Sequence, residues 1–244
     1  MSTTEYVQKH SFEVLKKIKS YCNTYNVEYF LVYGSLLGAE RHKGFIPWDD
    51  DIDIAMDTGN YRRFMENIDK LPDGLTYYFA DSVLRIFDES CNQVQMSFGS
   101  KRKGVFVDIF PFFRVEEKRK KLVEKYLLLE KCWEYRRKIR EKSKFLYILY
   151  KLILFPMRLV DKKFLRPIFL ERWKTWLDED VGEYIAWNYL DKTICIYRVK
   201  DIYPLKKKLF QDELFSVPNN VHAVLVDTYG EGYMTPVKWS QHFN

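Results

Sequence analysis

Four aspartates, Asp49, Asp50, Asp51 and Asp53, stand within five positions and lead straight into an apolar segment. Ile52, Ile54 and Met56 alternate with Asp51, Asp53 and Asp57, the period of two that marks a strand with one apolar and one polar face. The spacing predicts a strand from Asp51 to Met56, with Asp51 and Asp53 on the same side. Carboxylates held that close repel one another, so folding raises their proton affinity unless positive charge lies between them. A divalent cation is the usual remedy, and a set of oxygen ligands favours Mg²⁺ or Mn²⁺ over zinc. Asp49 and Asp50 are expected to cap or hydrogen-bond the preceding loop, because aspartate favours turns.

Two further segments complete the constellation. Tyr29–Tyr33 is a short apolar strand that runs into Gly34-Ser35, a helical turn from Leu36 to Arg41 and a loop from His42 to Trp48. Glycine permits close backbone approach, and the N–H groups of the following turn suit a phosphate. Arg41, His42 and Lys43 place cations where they can offset charge on a diphosphate leaving group. Farther on, Val105-Phe106-Val107-Asp108-Ile109-Phe110-Pro111 is an apolar strand with one carboxylate inside it. Such an aspartate is costly unless paired, hydrogen-bonded or metal-bound. Asp108 is therefore expected to complete the metal site, to act as general base toward an acceptor hydroxyl, or to be the partner of a buried arginine such as Arg85.

Helical spacing of Phe12, Leu15, Ile18 and Cys22 predicts a helix over residues 4–25, and a second is expected over Asn60–Ile68. Strands are expected over Thr76–Ala80, Val83–Asp88 and Gln93–Phe98. Beyond Val115 the chain turns basic: residues 114–174 hold twenty Lys and Arg against eight Asp and Glu, a local +12 within a net charge of +6. Long basic helices are expected there, with another over Trp173–Tyr189. The resulting division is a mixed α/β core over residues 1–113 and a mostly helical half over 114–244. The basic stretch reads as a solvated helical face, or as a surface for anionic lipid beside the apolar run Phe145–Val160, which is too short to span a bilayer. No recognition motif supports nucleic-acid binding. Cys22, Cys91, Cys132 and Cys195 are widely spaced and read as reduced thiols of a cytosolic protein. The first residues lack the apolar run of a signal peptide.

The block Gly34-Ser35-Leu36-Leu37-Gly38-Ala39, followed by Arg41-His42-Lys43-Gly44-Phe45-Ile46-Pro47-Trp48 and the aspartate run, strongly resembles the LicD family of phosphotransferases, which includes the fukutin-type proteins. Val105–Pro111 is similar to that family's second block, and Tyr229-Gly230-Glu231-Gly232-Tyr233-Met234-Thr235-Pro236 to its closing pattern. The resemblance implies an α+β fold with a nucleotidyltransferase core of the polymerase-β type. It implies Mg²⁺ or Mn²⁺ on Asp51, Asp53 and Asp108, and a phosphate-binding turn at Gly34-Ser35. The implied reaction is transfer of phosphocholine from CDP-choline, or of another CDP-activated polyol or sugar phosphate, to a glycan hydroxyl. The acceptor would belong to lipopolysaccharide, teichoic acid or capsule. An acceptor that is lipid-linked during assembly would place the enzyme in the cytoplasm, peripherally at the inner face of the membrane. Trp48 is expected in the substrate site, because aromatic rings can stack on a base or hold a quaternary ammonium. The rival readings are a true nucleotidyltransferase and a non-catalytic membrane-surface scaffold.

Overall fold

Helix α1 (Thr3–Thr24) begins at a capping box in which the Ser2 hydroxyl accepts the Glu5 N–H at 3.2 Å and the Glu5 carboxylate accepts the Ser2 N–H at 2.7 Å. Val7, Phe12, Val14, Leu15, Ile18 and Cys22 line its buried face. Each such side chain contributes on the order of 1.5–3 kcal/mol when removed from water. The computed structural model describes residues 2–80, 83–94, 103–121, 148, 181–188 and 194–238. The chain forms two units, residues 1–112 with 195–244, and residues 113–194.

In the first unit, α1 is followed by β1 (Phe30–Leu31), α2 (Tyr33–Arg41), β2 (Asp53–Asp57), α3 (Thr58–Glu66), β3 (Leu75–Ala80), β4 (Val83–Asp88) and β5 (Val105–Val115), whose first eight residues belong here. The strand order is β1-β2-β5-β4-β3. β2 and β5 run parallel, with Asp53 opposite Asp108, while the β1–β2, β4–β5 and β3–β4 pairs are antiparallel. The architecture is α+β with a mixed sheet. β5 is buried almost throughout, as its unbroken apolar run requires for a strand covered on both faces.

The second unit contains Phe113–Val115, paired antiparallel with residues of β6 (Tyr184–Asn188). After β7 (Ile194–Arg198), the short helix α4 (Val199–Ile202), the hairpin β8 (Lys206–Phe210) and β9 (Glu213–Val217), and α5 (Val221–Tyr229) all return to the first unit. Phe210 and Phe215 of the hairpin meet Phe12 of α1 at ring distances of 6.2 and 5.9 Å, which carries the closing elements back onto the core.

Several expectations change. β2 begins at Asp53, not Asp51, because the Asp49 N–H donates to the Ile46 carbonyl at 2.9 Å and closes a turn just before it. Gly34 and Ser35 lie inside the first turn of α2 rather than ahead of it. The second helix spans Thr58–Glu66, started by Asp57, whose side chain accepts the Asn60 N–H. Part of the helix expected over Trp173–Tyr189 is strand, since Tyr184–Asn188 finds a ladder partner in Phe113–Val115. Among the described residues beyond Val115, strands and helices alternate, so a mostly helical half is not what they form. The expected strand at 95–98, the basic helices at 122–147, the run 145–160 (except Ile148, helical and exposed) and Cys132 lie outside the described residues. Among those described, no helix is long and apolar enough to cross a membrane.

Candidate active site

The site is built where α2 crosses the start of β2. Tyr33 opens the helix at a φ of +47°, a conformation that costs a bulky residue about 1–3 kcal/mol and is held only by its surroundings. Its ring is anchored edge-on against Phe110 of β5 at 5.1 Å. The next residue must be small. A Cβ on Gly34 would stand 2.5 Å from an Asp49 carboxylate oxygen, so the glycine makes room for that carboxylate. Ser35 is buried, and its hydroxyl accepts the Asp53 N–H at 2.9 Å. The Asp53 carbonyl in turn accepts the Val32 N–H at 3.1 Å. Asp53 is thus fixed from the α2 side, and the Asp108 N–H donates to the Ile52 carbonyl at 2.9 Å from the β5 side.

The loop from His42 to Trp48 folds back over α2 at Gly38. The Gly38 carbonyl accepts the His42 and Gly44 N–H groups, and a Cβ there would meet the Gly44 carbonyl. From α1, the Gln8 amide donates to the carbonyls of Ile46 and Asp49, at 3.1 and 2.7 Å. This clamp delivers the aspartates as a group. One carboxylate oxygen from each of Asp49, Asp50 and Asp51 lies within 4.8 Å of the others. Asp49 and Asp50 are buried at 3% and 2% exposure, and Asp51 is half-buried. An all-oxygen set at that spacing suits a hard divalent cation.

Asp53 is 8% exposed. Its carboxyl is pushed well above the usual range, first by burial and then by the charges of Asp51, Asp108 and Asp49, with Arg85 opposing. Asp108 meets Arg85 of β4, its register partner, through two bonds: Nε to Oδ1 at 2.7 Å and Nη2 to Oδ2 at 3.0 Å. The guanidinium also lies over the Phe106 ring at 4.2 Å and donates to the Tyr78 hydroxyl at 3.3 Å. Burial alone would weaken Arg85's hold on its proton, and the Asp108 carboxylate more than offsets that.

The three basic loop residues take different directions. Arg41 Nη1 donates to the Tyr233 carbonyl at 3.1 Å, and Nε donates to His42 Nε2 at 2.9 Å. His42 is exposed, and its proton affinity is lowered by what burial it has and by Arg41. Lys43 is exposed, with its carbonyl accepting the Gln211 N–H at 2.8 Å. Trp48 is half-buried beside the aspartates.

The residues singled out in the sequence thus converge in part. Gly34, Ser35, Asp51, Asp53 and Asp108 come together, and Arg41 turns toward the C-terminal segment. Two carboxylates that sequence reading assigned to the loop, Asp49 and Asp50, belong to the acidic group. Their signal was the run of aspartates itself, which the turn preference of aspartate assigns to the loop. Tyr229 at the end of α5 was also missed as a site residue, although its motif was noted. Desolvation of its hydroxyl, and then the charges of Asp53, Asp49 and Asp51, hold its proton tightly, while the residue as a whole is 42% exposed.

A family model described as "LicD/FKTN/FKRP, nucleotidyltransferase domain" matches residues 26–159, more than half of the chain. A lipopolysaccharide cholinephosphotransferase, LicD, of Haemophilus influenzae is 36% identical over 107 residues, covering 40% of this chain and 39% of that protein. An uncharacterised protein of Rickettsia prowazekii is 26% identical over 101 residues, covering 40% of this chain and 37% of that one. These matches span about two fifths of the length of either relative. With the family model covering both the α2–β2 block and the Asp108 strand, the chain belongs to the LicD/FKTN/FKRP family.

Proposed function

We propose that this protein is a metal-dependent phosphotransferase that moves phosphocholine from CDP-choline onto a hydroxyl of a cell-surface glycan. The observation that carries the reading is the convergence of carboxylates: Asp53 and Asp108 in register on parallel strands, with Asp49, Asp50 and Asp51 grouped at the entry to β2. The likeness to the Haemophilus cholinephosphotransferase supports phosphocholine as the group moved and a lipopolysaccharide-type glycan as the acceptor. The mixed sheet carrying carboxylates on adjacent strands supports a nucleotidyltransferase core of the polymerase-β type.

The donor set fits a hard cation, being all carboxylate and so crowded that Asp53 holds a proton too tightly without one. Mg²⁺ or Mn²⁺, held by Asp51 and Asp53 with Asp49 or Asp50 in support, would neutralise the diphosphate. The chain's own residues do the rest. Ser35 holds Asp53 in place through its N–H. Arg85 orients the Asp108 carboxylate by engaging both of its oxygens, which suits Asp108 to supporting the cation set more than to receiving the acceptor proton. Arg41, with His42 and Lys43 beside it in sequence, supplies positive charge for the leaving CMP. Gly34 admits Asp49, and Trp48 offers an aromatic face beside the acids. The basic residues of 114–174 supply charge for peripheral contact with the inner face of the membrane, where a lipid-linked acceptor would be met.

The test is to incubate the protein with Mg²⁺, CDP-choline and candidate acceptor glycans, and to identify products by mass spectrometry. Release of CMP with a 1:1 gain of phosphocholine on the glycan is expected. CDP-ribitol or another CDP-alcohol replacing CDP-choline would change the group moved and keep the reaction class. Pyrophosphate release from a nucleoside triphosphate would instead make the protein a nucleotidyltransferase.

A further inference from the structure

The sequence block around the aspartates supplies acids, but the oxygens of a diphosphate also need hydrogen-bond donors. Arg41 offers one that is already buried. Its Nη1 is used by the Tyr233 carbonyl and its Nε by His42, while Nη2 is buried with no hydrogen-bond partner among the described residues. A buried N–H left unmatched in the free protein is a group for which a ligand acceptor is the natural complement.

The second donor comes from the far end of the chain. Tyr229 is the last residue of α5, and Gly230, at a φ of +85°, turns the backbone away immediately after it. The helix end is pinned: the Thr228 hydroxyl donates to the Val224 carbonyl at 2.7 Å and lies 2.8 Å from the Tyr197 hydroxyl. The turn that follows is pinned as well, by Arg41 at the Tyr233 carbonyl and by His222 Nδ1 at the Tyr233 hydroxyl, 3.0 Å away. Tyr229 itself is 42% exposed, unlike Val224 and Leu225 of the same helix. Its phenol is within electrostatic reach of Asp53, Asp49 and Asp51 on one hand and of Arg41 on the other. A tyrosine phenol carries its proton at neutral pH and is an O–H donor.

We propose that the Tyr229 hydroxyl and Arg41 Nη2 form a donor pair for the non-bridging oxygens of the diphosphate, so that the Tyr229–Tyr233 segment contributes directly to substrate binding. This deepens the phosphotransferase reading and rests on its diphosphate donor. A phosphoryl oxygen is the acceptor that suits both groups, because it takes a charge-assisted bond from each and tolerates nearby acids once a cation bridges them. The pair acts by binding and orienting. The bonds made and broken remain those of phosphoryl transfer.

The probes are Mn²⁺, titrated alone, and inorganic pyrophosphate, titrated calorimetrically into the Mn²⁺-loaded protein. The variants are Tyr229→Phe, which removes one oxygen from a partly exposed side chain, and Arg41→Lys. Tyr229→Phe is expected to leave Mn²⁺ affinity and thermal stability unchanged and to weaken pyrophosphate binding about tenfold, the size of one charge-assisted hydrogen bond. Arg41→Lys is expected to weaken it by at least as much, and if that variant does not fold, Tyr229→Phe alone decides. The proposal is overturned if Tyr229→Phe binds pyrophosphate like the wild type, if Mn²⁺ and pyrophosphate affinities fall together, or if the wild type binds no pyrophosphate. A wild type that binds Mn²⁺ and pyrophosphate through Tyr229 but transfers nothing from any CDP-alcohol sinks the phosphotransferase reading and leaves the donor pair standing.

Discussion

Arg85 and Asp108 face one another across the β4–β5 pair with both carboxylate oxygens engaged, Nε to Oδ1 at 2.7 Å and Nη2 to Oδ2 at 3.0 Å. The fork is 18% and 8% exposed on its two sides. It places one fixed positive charge within electrostatic reach of Asp53. Removing either partner strands the other in the interior. Arg85→Gln is therefore expected to cost about 3–5 kcal/mol of stability, read by urea denaturation. Asp108→Asn combined with Arg85→Gln should recover a large part of it, because the remaining groups are neutral and can hydrogen-bond. Additive losses in the double variant would mean that the pair is not the source of the effect.

A pH dependence follows from Asp53. Its folded carboxyl holds its proton well above the ordinary carboxylate range, with burial the first cause and Asp51, Asp108 and Asp49 next. Between the unfolded value of about 3.9 and the raised folded one, the folded state binds more protons than the unfolded chain. Stability of the metal-free protein must then fall as pH rises through that window, and flatten below it. Asp53→Asn lacks the group and should show a shallower decline. Denaturation midpoints measured across the window check this, and equal slopes for the two proteins would refute it. Saturating Mn²⁺ should flatten the wild-type slope too, since a bound cation supplies the missing positive charge.

Ser35 tests how tightly α2 governs β2. Its hydroxyl is the acceptor for the Asp53 N–H, so Ser35→Ala leaves a buried donor unmatched at a cost of about 1–3 kcal/mol. Turnover is expected to fall by more than stability alone explains, because the residue that loses its anchor is a carboxylate of the site. Ser35→Thr, which keeps the oxygen, should recover part of the loss if the larger side chain fits. Mn²⁺ affinity measured on well-folded Ser35→Ala is the check. An unchanged value would confine Ser35 to a structural role.

What could be read in the sequence was what local patterns control. The apolar run Val105–Pro111 and its single carboxylate marked β5 well, because a strand buried on both faces must be apolar nearly throughout. Asp51 was misplaced as a strand residue because its alternation continues that of β2 in sequence. In the structure the turn between Ile46 and Asp49 ends just before it, and the β2–β5 register begins at Asp53. The same turn is what turns Asp49 and Asp50 from loop residues into members of the acidic group. The sequence predicts helix over Tyr184–Asn188 because its four aromatic and aliphatic residues, Tyr184 to Trp187, fit either structure; the deciding partner, Phe113–Val115, lies some seventy residues away. Tyr229 and Arg41 are separated still further in sequence, and it is the packing of the last helix that brings Tyr229 within electrostatic reach of Arg41 and of the acids.

Gly34 gives the sharpest test of how the acidic group is assembled. A Cβ there would stand 2.5 Å from an Asp49 oxygen, and that approach is closer than any real Cβ contact, so the Asp49 side chain must move. Gly34 itself is not in the left-handed region, so backbone strain does not enter and the cost comes from the carboxylate alone. Gly34→Ala is expected to keep the fold, because alanine favours the helix by up to about 1 kcal/mol over glycine and partly offsets the displacement. It should nonetheless weaken Mn²⁺ binding by about tenfold or more, the loss of one well-placed carboxylate ligand. Asp49→Asn should produce a similar loss without the steric change, and the double variant should be little worse than either alone, because both act on the same side chain. Fully additive losses would mean that Gly34 serves the site by another route, such as the close approach of a phosphate to the first turn of α2.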